Sequence, residues 1–207
     1  MVTVAEVTPL RVGVRIRLDN DRVVFLTRKE AAEGGFTEGM QIDENEFDQF
    51  VRLRQYPRAL NQAVAMLARR PCSRREIERR LQETRYEQEI VELVLYKLEK
   101  EKLINDADFA EAWVHYRSGG RYGERRIRQE LKQKGVSEEI MQQAMEDLDE
   151  SEMLDNAAHL ASRFLARSKP GEPPAKARNR VMAALIRKGY SWDTAAKAYQ
   201  IAAGQKD

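Results

Sequence analysis

The sequence predicts a mainly α-helical protein: three tandem three-helix modules forming an elongated array, preceded by a small β-rich N-terminal module. Three observations predict it. Ile127, Leu131 and Val136 have counterparts at Ile77, Leu81 and Tyr86, 50 residues earlier, and at Val181, Leu185 and Tyr190, 54 residues later. A fixed period near 50 marks stacked helical units, and such arrays bind along extended partners rather than closing around a small substrate. Charge alternates with the same period. Residues 69–80 hold six Arg against two Glu, residues 121–134 six Arg or Lys against two Glu, and residues 163–188 eight against one, whereas residues 136–155 carry eight acids and no base. Finally, the first 50 residues show a strand period instead of a helical one.

The expected boundaries are 1–50 for the β-rich module and 51–104, 105–152 and 153–207 for the helical repeats. Thr3–Val7, Arg11–Leu18 and Arg22–Leu26 read as short strands, and Asp19-Asn20-Asp21 as the turn of a hairpin between the second and third. A short helix starts at Thr27 or Arg28 and stops at Gly34-Gly35. Helical signals begin near Glu46, and Pro57 opens a helix through Arg70. Ser73-Arg74-Arg75-Glu76 is a capping box that starts a second helix, ending near Thr84. Ile90, Val91, Val94 and Leu98 mark one face of a third.

The next repeat copies this order. Asp106 caps a helix to about Arg117, Gly119-Gly120-Arg121-Tyr122-Gly123 turns the chain, and Glu124–Lys134 is stopped by Gly135. Ser137 starts the third helix, with Ile140, Met141, Ala144 and Leu148 inward. The last repeat runs from about Asp155, is interrupted by a proline-rich loop at 169–174, and resumes from Ala175 to Gly189. Ser191 caps the final helix. Units of this size are too small to stand comfortably alone, so neighbours are expected to share apolar surface.

Composition bounds the function. Charged residues make up 34% and the formal net charge is only +2, so the distribution of charge matters more than its sum. A single cysteine, Cys72, excludes an internal disulfide, and His115 and His159 stand alone, so no metal or other cofactor is expected. No apolar run is long enough to span a membrane, and the N-terminus lacks the parts of a signal peptide, which predicts a cytoplasmic protein. Neither a nucleophile–base pair nor a phosphate loop is visible, so an enzyme is not expected.

Ile77 and Leu81 define the inward face of their helix, and Arg75, Arg79 and Gln82 point the other way. Arg125, Gln129 and Lys132 fill the same places one repeat later, with Arg128 beside them. A single basic helix face is usually just solvated. Its recurrence favours a polyanion or an acidic protein groove. The contact candidates are Arg70, Arg74, Arg75 and Arg79 in the first repeat, and Arg121, Tyr122, Arg125, Arg126, Arg128 and Lys132 in the second. In the third repeat Asn179, Ala183 and Ile186 take the outward places, with Met182 beside them, so that helix is either buried on two sides or a protein-contact surface. Trp113, Tyr116 and Trp192 read as core or packing residues.

Leu103-Ile104-Asn105-Asp106 with Phe109-Ala110, then Gly123, Arg126-Ile127, Glu130-Leu131 and Lys134-Gly135-Val136, resembles the RecX family of bacterial recombination regulators. Ser73-Arg74-Arg75-Glu76-Ile77 with Leu81, and the three-module layout, extend the resemblance over roughly residues 57–203. The resemblance implies a non-enzymatic, monomeric modulator of the RecA recombinase. Such proteins lie in the groove of the RecA–single-stranded DNA filament, suppress ATP hydrolysis and strand exchange and limit filament growth, and some bind single- or double-stranded DNA directly. Two other readings stand beside it: a helical nucleic-acid-binding protein acting without RecA, and a helical scaffold for acidic proteins.

Overall fold

The computed structural model describes residues 1–119, 122–146, 148–168 and 171–204. The chain divides into two compact units, Met1–Asn105 and Asp106–Asp207.

The first unit opens with β1 (Val2–Pro9), β2 (Val14–Leu18) and β3 (Val23–Leu26), then α1 (Arg28–Gly34) and β4 (Gln41–Ile42). All pairings are antiparallel and the strand order is β3-β2-β1-β4. Alternation places Val2, Val4, Ile16, Leu18, Val24 and Leu26 on one face, where they meet Phe47 and Val51. Thr27 and Glu30 close α1 with a reciprocal capping box, and Gly35 ends it in the left-handed region at φ 63°.

The next helix departs from expectation. Asp43 caps α2 (Glu44–Leu67), whose 24 residues run straight through Pro57. An internal proline costs about 3 kcal/mol by removing one N–H and crowding the preceding turn. Here one rod serves two cores. Phe47 and Val51 fill the β module, and Ala59 and Ala63 fill the first helical repeat. Burial at both ends outweighs the local defect. Leu53, whose carbonyl loses its donor to Pro57, is 67% exposed, so water can serve it.

Midway between the two cores sits Gln55, fully buried. Its amide donates to the Phe25 carbonyl at 3.1 Å, and its oxygen accepts from the Glu87 amide at 2.8 Å. It ties the edge strand β3 to the start of α4 (Gln88–Lys100) and leaves no polar end unsatisfied. Arg22 reinforces this seam through Asp48 and Glu87. Between α2 and α4 runs α3 (Arg74–Glu83), started by the Ser73–Glu76 capping box. Ile77, Leu81, Val91, Val94, Leu95 and Leu98 form the core of this repeat, each 0% exposed.

The second unit holds two repeats. One comprises α5 (Asp106–Gly119), α6 (Glu124–Gln133) and α7 (Glu138–Glu146); the other α8 (Glu150–Leu165), α9 (Pro174–Arg187) and α10 (Trp192–Ala202). Asp106 is the first helical residue of α5 rather than its cap. Asp149 caps α8, so that helix begins five residues before the expected Asp155. Ile127, Leu131 and Met141 centre one core; Val181, Leu185 and Tyr190 centre the other. Residues at positive φ end the second helix of every repeat at the same place: Arg85 at 66°, Gly135 at 79° and Gly189 at 96°.

Candidate functional site

In the first repeat the basic face is largely neutralised from within. Arg70 forms a two-pronged pair with Glu76 at 3.0 and 3.1 Å. Arg74 reaches Glu92 and Glu99 of α4, both at 2.9 Å. Arg75 meets Glu78 at 2.8 Å, and Arg79 lies 3.9 Å from Glu83. Arg75 and Arg79 remain well exposed, and pairs of this kind are worth about 0–1 kcal/mol, so these two can exchange partners. Arg74, held by Glu92 and Glu99 with Glu78 a third carboxylate at 3.9 Å, and partly buried, is less free.

In the second repeat Arg128 pairs with Glu124 and Glu138. Arg125 and Lys132 stand exposed on α6 with no carboxylate partner among the described residues. Arg125 sits on the rim of a cleft of about 840 Å³, floored by Met145, Met153 and Tyr190. Arg121 lies outside the described residues.

Arg126 and Tyr122 belong to a junction between the second and third repeats. Gly123 and Gly189 bring two backbones into direct contact. The Gly123 amide donates to the Lys188 carbonyl at 3.0 Å, and the Arg125 amide to the Gly189 carbonyl at 3.1 Å. The carbonyls of the two residues that follow α9 thus satisfy amides at the start of α6, which has no side-chain cap of its own. Donor and acceptor ends carry opposite partial charge, so the two helix dipoles favour this contact. A Cβ at Gly123 would lie 2.3 Å from the Gly189 carbonyl carbon and the Tyr190 nitrogen, and one at Gly189 2.3 Å from Arg126 Cβ.

Around these glycines the side chains interlock. Glu130, buried at 8% exposure, accepts from Trp113 Nε1 at 3.2 Å, from Arg126 Nε at 2.8 Å and from both arms of Arg117. Burial pushes its carboxyl up, but the hydrogen bonds from Arg117 and Arg126 outweigh this and hold it below the ordinary carboxylate range. The Arg117 guanidinium lies 3.9 Å and Lys188 Nζ 4.2 Å from the centre of the Tyr122 ring. Lys188, then Arg117, holds its hydroxyl below the usual phenol value. Two cations thus already crowd the Tyr122 ring, and a stacking base would compete with them.

Other expectations need correction. Tyr116 and Trp192, expected in the core, are 69% and 58% exposed. Trp192 is the first residue of α10, and the cap at Ser191 directs the following helix so that Ala195, Ala198 and Tyr199 face inward instead. Trp113 does pack on the core of its repeat, stacked on Phe109. On α9, Asn179, Ala183 and Ile186 are exposed while Met182 is buried, so an apolar patch faces outward. Comparison of the repeats gave Glu130 no buried role, since Arg80 fills its place in the first repeat.

The helical geometry has close counterparts among known proteins. A crystal structure of a regulatory protein RecX superposes with a TM-score of 0.65 over 94% of this chain and 97% of that one, at 22% identity. RecX from Lactobacillus salivarius gives 0.64 over 70% and 95%, also at 22% identity. These likenesses speak to fold. In sequence, the regulatory protein RecX of Thermobifida fusca (strain YX) is 34% identical over 137 residues, 66% of this chain and 74% of the relative. That of Streptococcus sanguinis (strain SK36) is 25% identical over 186 residues, 89% and 71% of the two chains. Family models describe the first, second and third three-helix domains of RecX; they match residues 59–98, 105–145 and 150–199. Those spans fall on the end of α2 through α4, on α5–α7 and on α8–α10, in the order of the family, and the chain belongs to the RecX family.

Proposed function

We propose that this chain regulates the RecA recombinase. In this reading it binds the RecA–single-stranded DNA filament in the cytoplasm and inhibits ATP hydrolysis, filament extension and strand exchange, with no chemical step of its own. Family membership supports the reading, since the relatives are named regulatory proteins. The observation that carries it to particular residues is the outward face of α6, where Arg125 and Lys132 have no carboxylate partner among the described residues. Uncompensated cations on a rigid helix suit an anionic groove of protein and phosphate. Among the sequence candidates these two therefore rank first, Arg75 and Arg79 next, and Arg74, Arg126 and Tyr122 last, because internal partners hold them.

The test is the DNA-dependent ATPase of RecA with and without this protein. Inhibition at substoichiometric amounts is expected. Arg125→Ala with Lys132→Ala should weaken it more than Arg75→Ala with Arg79→Ala. An unchanged ATPase at excess protein overturns the proposal. DNA binding in that case would favour a regulator acting on nucleic acid without RecA, and no DNA binding a scaffold for acidic proteins.

A further inference from the structure

A second surface, on the first unit and apart from every candidate above, has the composition of a base-stacking site. Between α2 and α4 lies a cleft of about 390 Å³. Tyr56 and Leu93 form its floor, and Tyr96 stands over it at 62% exposure. Arg52 and Lys100 flank it, exposed and without a carboxylate partner among the described residues. Lys97, also on the rim, is paired with Glu101 at 2.5 Å. The Tyr96 ring makes no aromatic or cation contact among the described residues, unlike Tyr122, which has Arg117 and Lys188 against its ring.

We infer that this cleft binds single-stranded nucleic acid, with a base stacked on Tyr96 and the flanking phosphates on Arg52 and Lys100. The volume suits a ligand the size of a nucleotide. An open π face between two free cations serves both halves of a nucleotide, and stacking tolerates any base. A docked peptide is served less well. An amphipathic helix needs a row of apolar anchors, and Leu93 is the one aliphatic residue lining the cleft. An extended peptide needs a run of backbone partners, and the helices flanking the cleft use theirs internally apart from the single Leu53 carbonyl. Duplex DNA keeps its base faces stacked inside and cannot use the ring. The site is independent of the RecA reading and would hold if that reading failed.

The experiment is a titration of the full chain with a dye-labelled oligothymidine of about 16 nucleotides, read by fluorescence anisotropy across a salt series. Tyr96→Ala should lower affinity about tenfold, within the range measured for loss of one stacking aromatic. Tyr96→Phe keeps the ring and should bind as wild type. Tyr96→Ala should leave the salt slope unchanged, because stacking releases no counterions. Arg52→Ala and Lys100→Ala should each reduce the slope by about 0.7. Duplex affinity should not respond to Tyr96→Ala. The proposal is overturned if the wild-type chain does not bind the oligonucleotide, if Tyr96→Ala binds it as tightly as wild type, or if single-strand and duplex affinities fall together. It is equally overturned if Tyr96→Ala abolishes RecA inhibition with oligonucleotide affinity intact, which would assign the cleft to a protein partner. RecA inhibition retained in Tyr96→Ala alongside weakened oligonucleotide binding would support the cleft and leave the α6 reading untouched.

Discussion

α3 and α6 are the same helix in two successive repeats, and they are closed in opposite ways. At the start of α3 the Ser73 hydroxyl accepts from the Glu76 amide and Glu76 returns the bond. At the equivalent place α6 has Gly123, no side-chain cap, and the carbonyls of Lys188 and Gly189 from another repeat. The first solution is local, and the second makes two repeats one body. The same contrast extends to charge. Arg70, Arg74, Arg75 and Arg79 around α3 are each answered by a glutamate, whereas α6 gives its buried glutamate to the junction and leaves Arg125 and Lys132 open. A helix held by its neighbour can spend its outward face on a partner.

The largest effects should come from the cores, where the two helices are alike. Leu81 and Leu131 are both 0% exposed, so Leu81→Ala and Leu131→Ala should each cost about 2–5 kcal/mol in denaturant melts. Their reach should differ. In native-state hydrogen exchange, Leu131→Ala should lower protection near Leu185 as well as in its own repeat, because the Gly123–Gly189 contact couples the two. Protection near Leu185 that stays at the wild-type level would show the contact to be energetically idle.

Glu130→Gln attacks the junction through its charge and should cost about 2–3 kcal/mol. That is below the range for a fully buried broken pair, because Arg117 and Arg126 keep access to water. The pH dependence is the sharper readout. The folded carboxyl titrates below its ordinary value of 4.5, so its contribution is complete above pH 4.5 and is lost as pH falls through the lower, folded value. Acid titration of the wild type should destabilise the second unit below pH 4.5, and that component should vanish in Glu130→Gln. An acid limb of equal steepness in both proteins would place the acid sensitivity elsewhere.

Next come the caps themselves. Gly123→Ala forces a Cβ against backbone atoms that have no rotamer to escape into, and should cost about 1–3 kcal/mol. Ser73→Ala loses one capping bond, at about 1 kcal/mol. The former should also split the melting of the second and third repeats into separable transitions; the latter should leave the first unit cooperative. A single transition in Gly123→Ala would mean the side-chain cluster around Glu130 holds the repeats together without the glycine contact.

These contrasts explain which parts of the fold could be seen in the sequence. Periodicity reports which face of a helix is apolar, so Ile77, Leu81, Ile127, Leu131, Val181 and Leu185 were legible as core. Capping chemistry is local, so Ser73, Gly135 and Ser191 marked true helix ends. The run of α2 through Pro57 was not legible, because a local penalty was outweighed by two cores that lie apart in sequence. Gly123 gave no sign of its role for the same reason: what a Cβ would strike is 66 residues away, at Gly189. Glu130 looked like a surface acid in an ordinary pair with Arg126 one turn away, because Trp113 and Arg117 reach it only by the packing of α5 on α6. Among the candidate contacts, the outward direction of Arg125 and Lys132 followed from helical period, but the hold of Glu92 and Glu99 on Arg74 and of Glu138 on Arg128 comes from α4 and α7, which the period of α3 or α6 alone does not reveal.

The smallest effect tests how the repeats end. Gly135 and Gly189 occupy the left-handed region at no steric cost, while Arg85 adopts the same conformation at φ 66° with a full side chain. A non-glycine residue there costs about 1–2 kcal/mol. Arg85 recovers part of this by placing its guanidinium 4.7 Å from the centre of the Phe25 ring, on the β module, a contact worth about 0.5–1 kcal/mol at an exposed site. Arg85→Gly relieves the first term, forfeits the second and adds about 0.4–1 kcal/mol of unfolded-chain entropy, so the three nearly cancel and the net change should lie within about 1 kcal/mol of zero. Arg85→Ala keeps the strain, loses the ring contact, and should be destabilising by about 0.5–1 kcal/mol. Gly135→Ala, which adds strain with no ring to stack on, should cost about 1 kcal/mol or more. The ordering of the three by thermal melt is the measurement. Equal loss in Arg85→Gly and Arg85→Ala would show that the Phe25 contact, and not backbone geometry, decides this position, and that the first repeat ends as it does because the β module is there to receive its arginine.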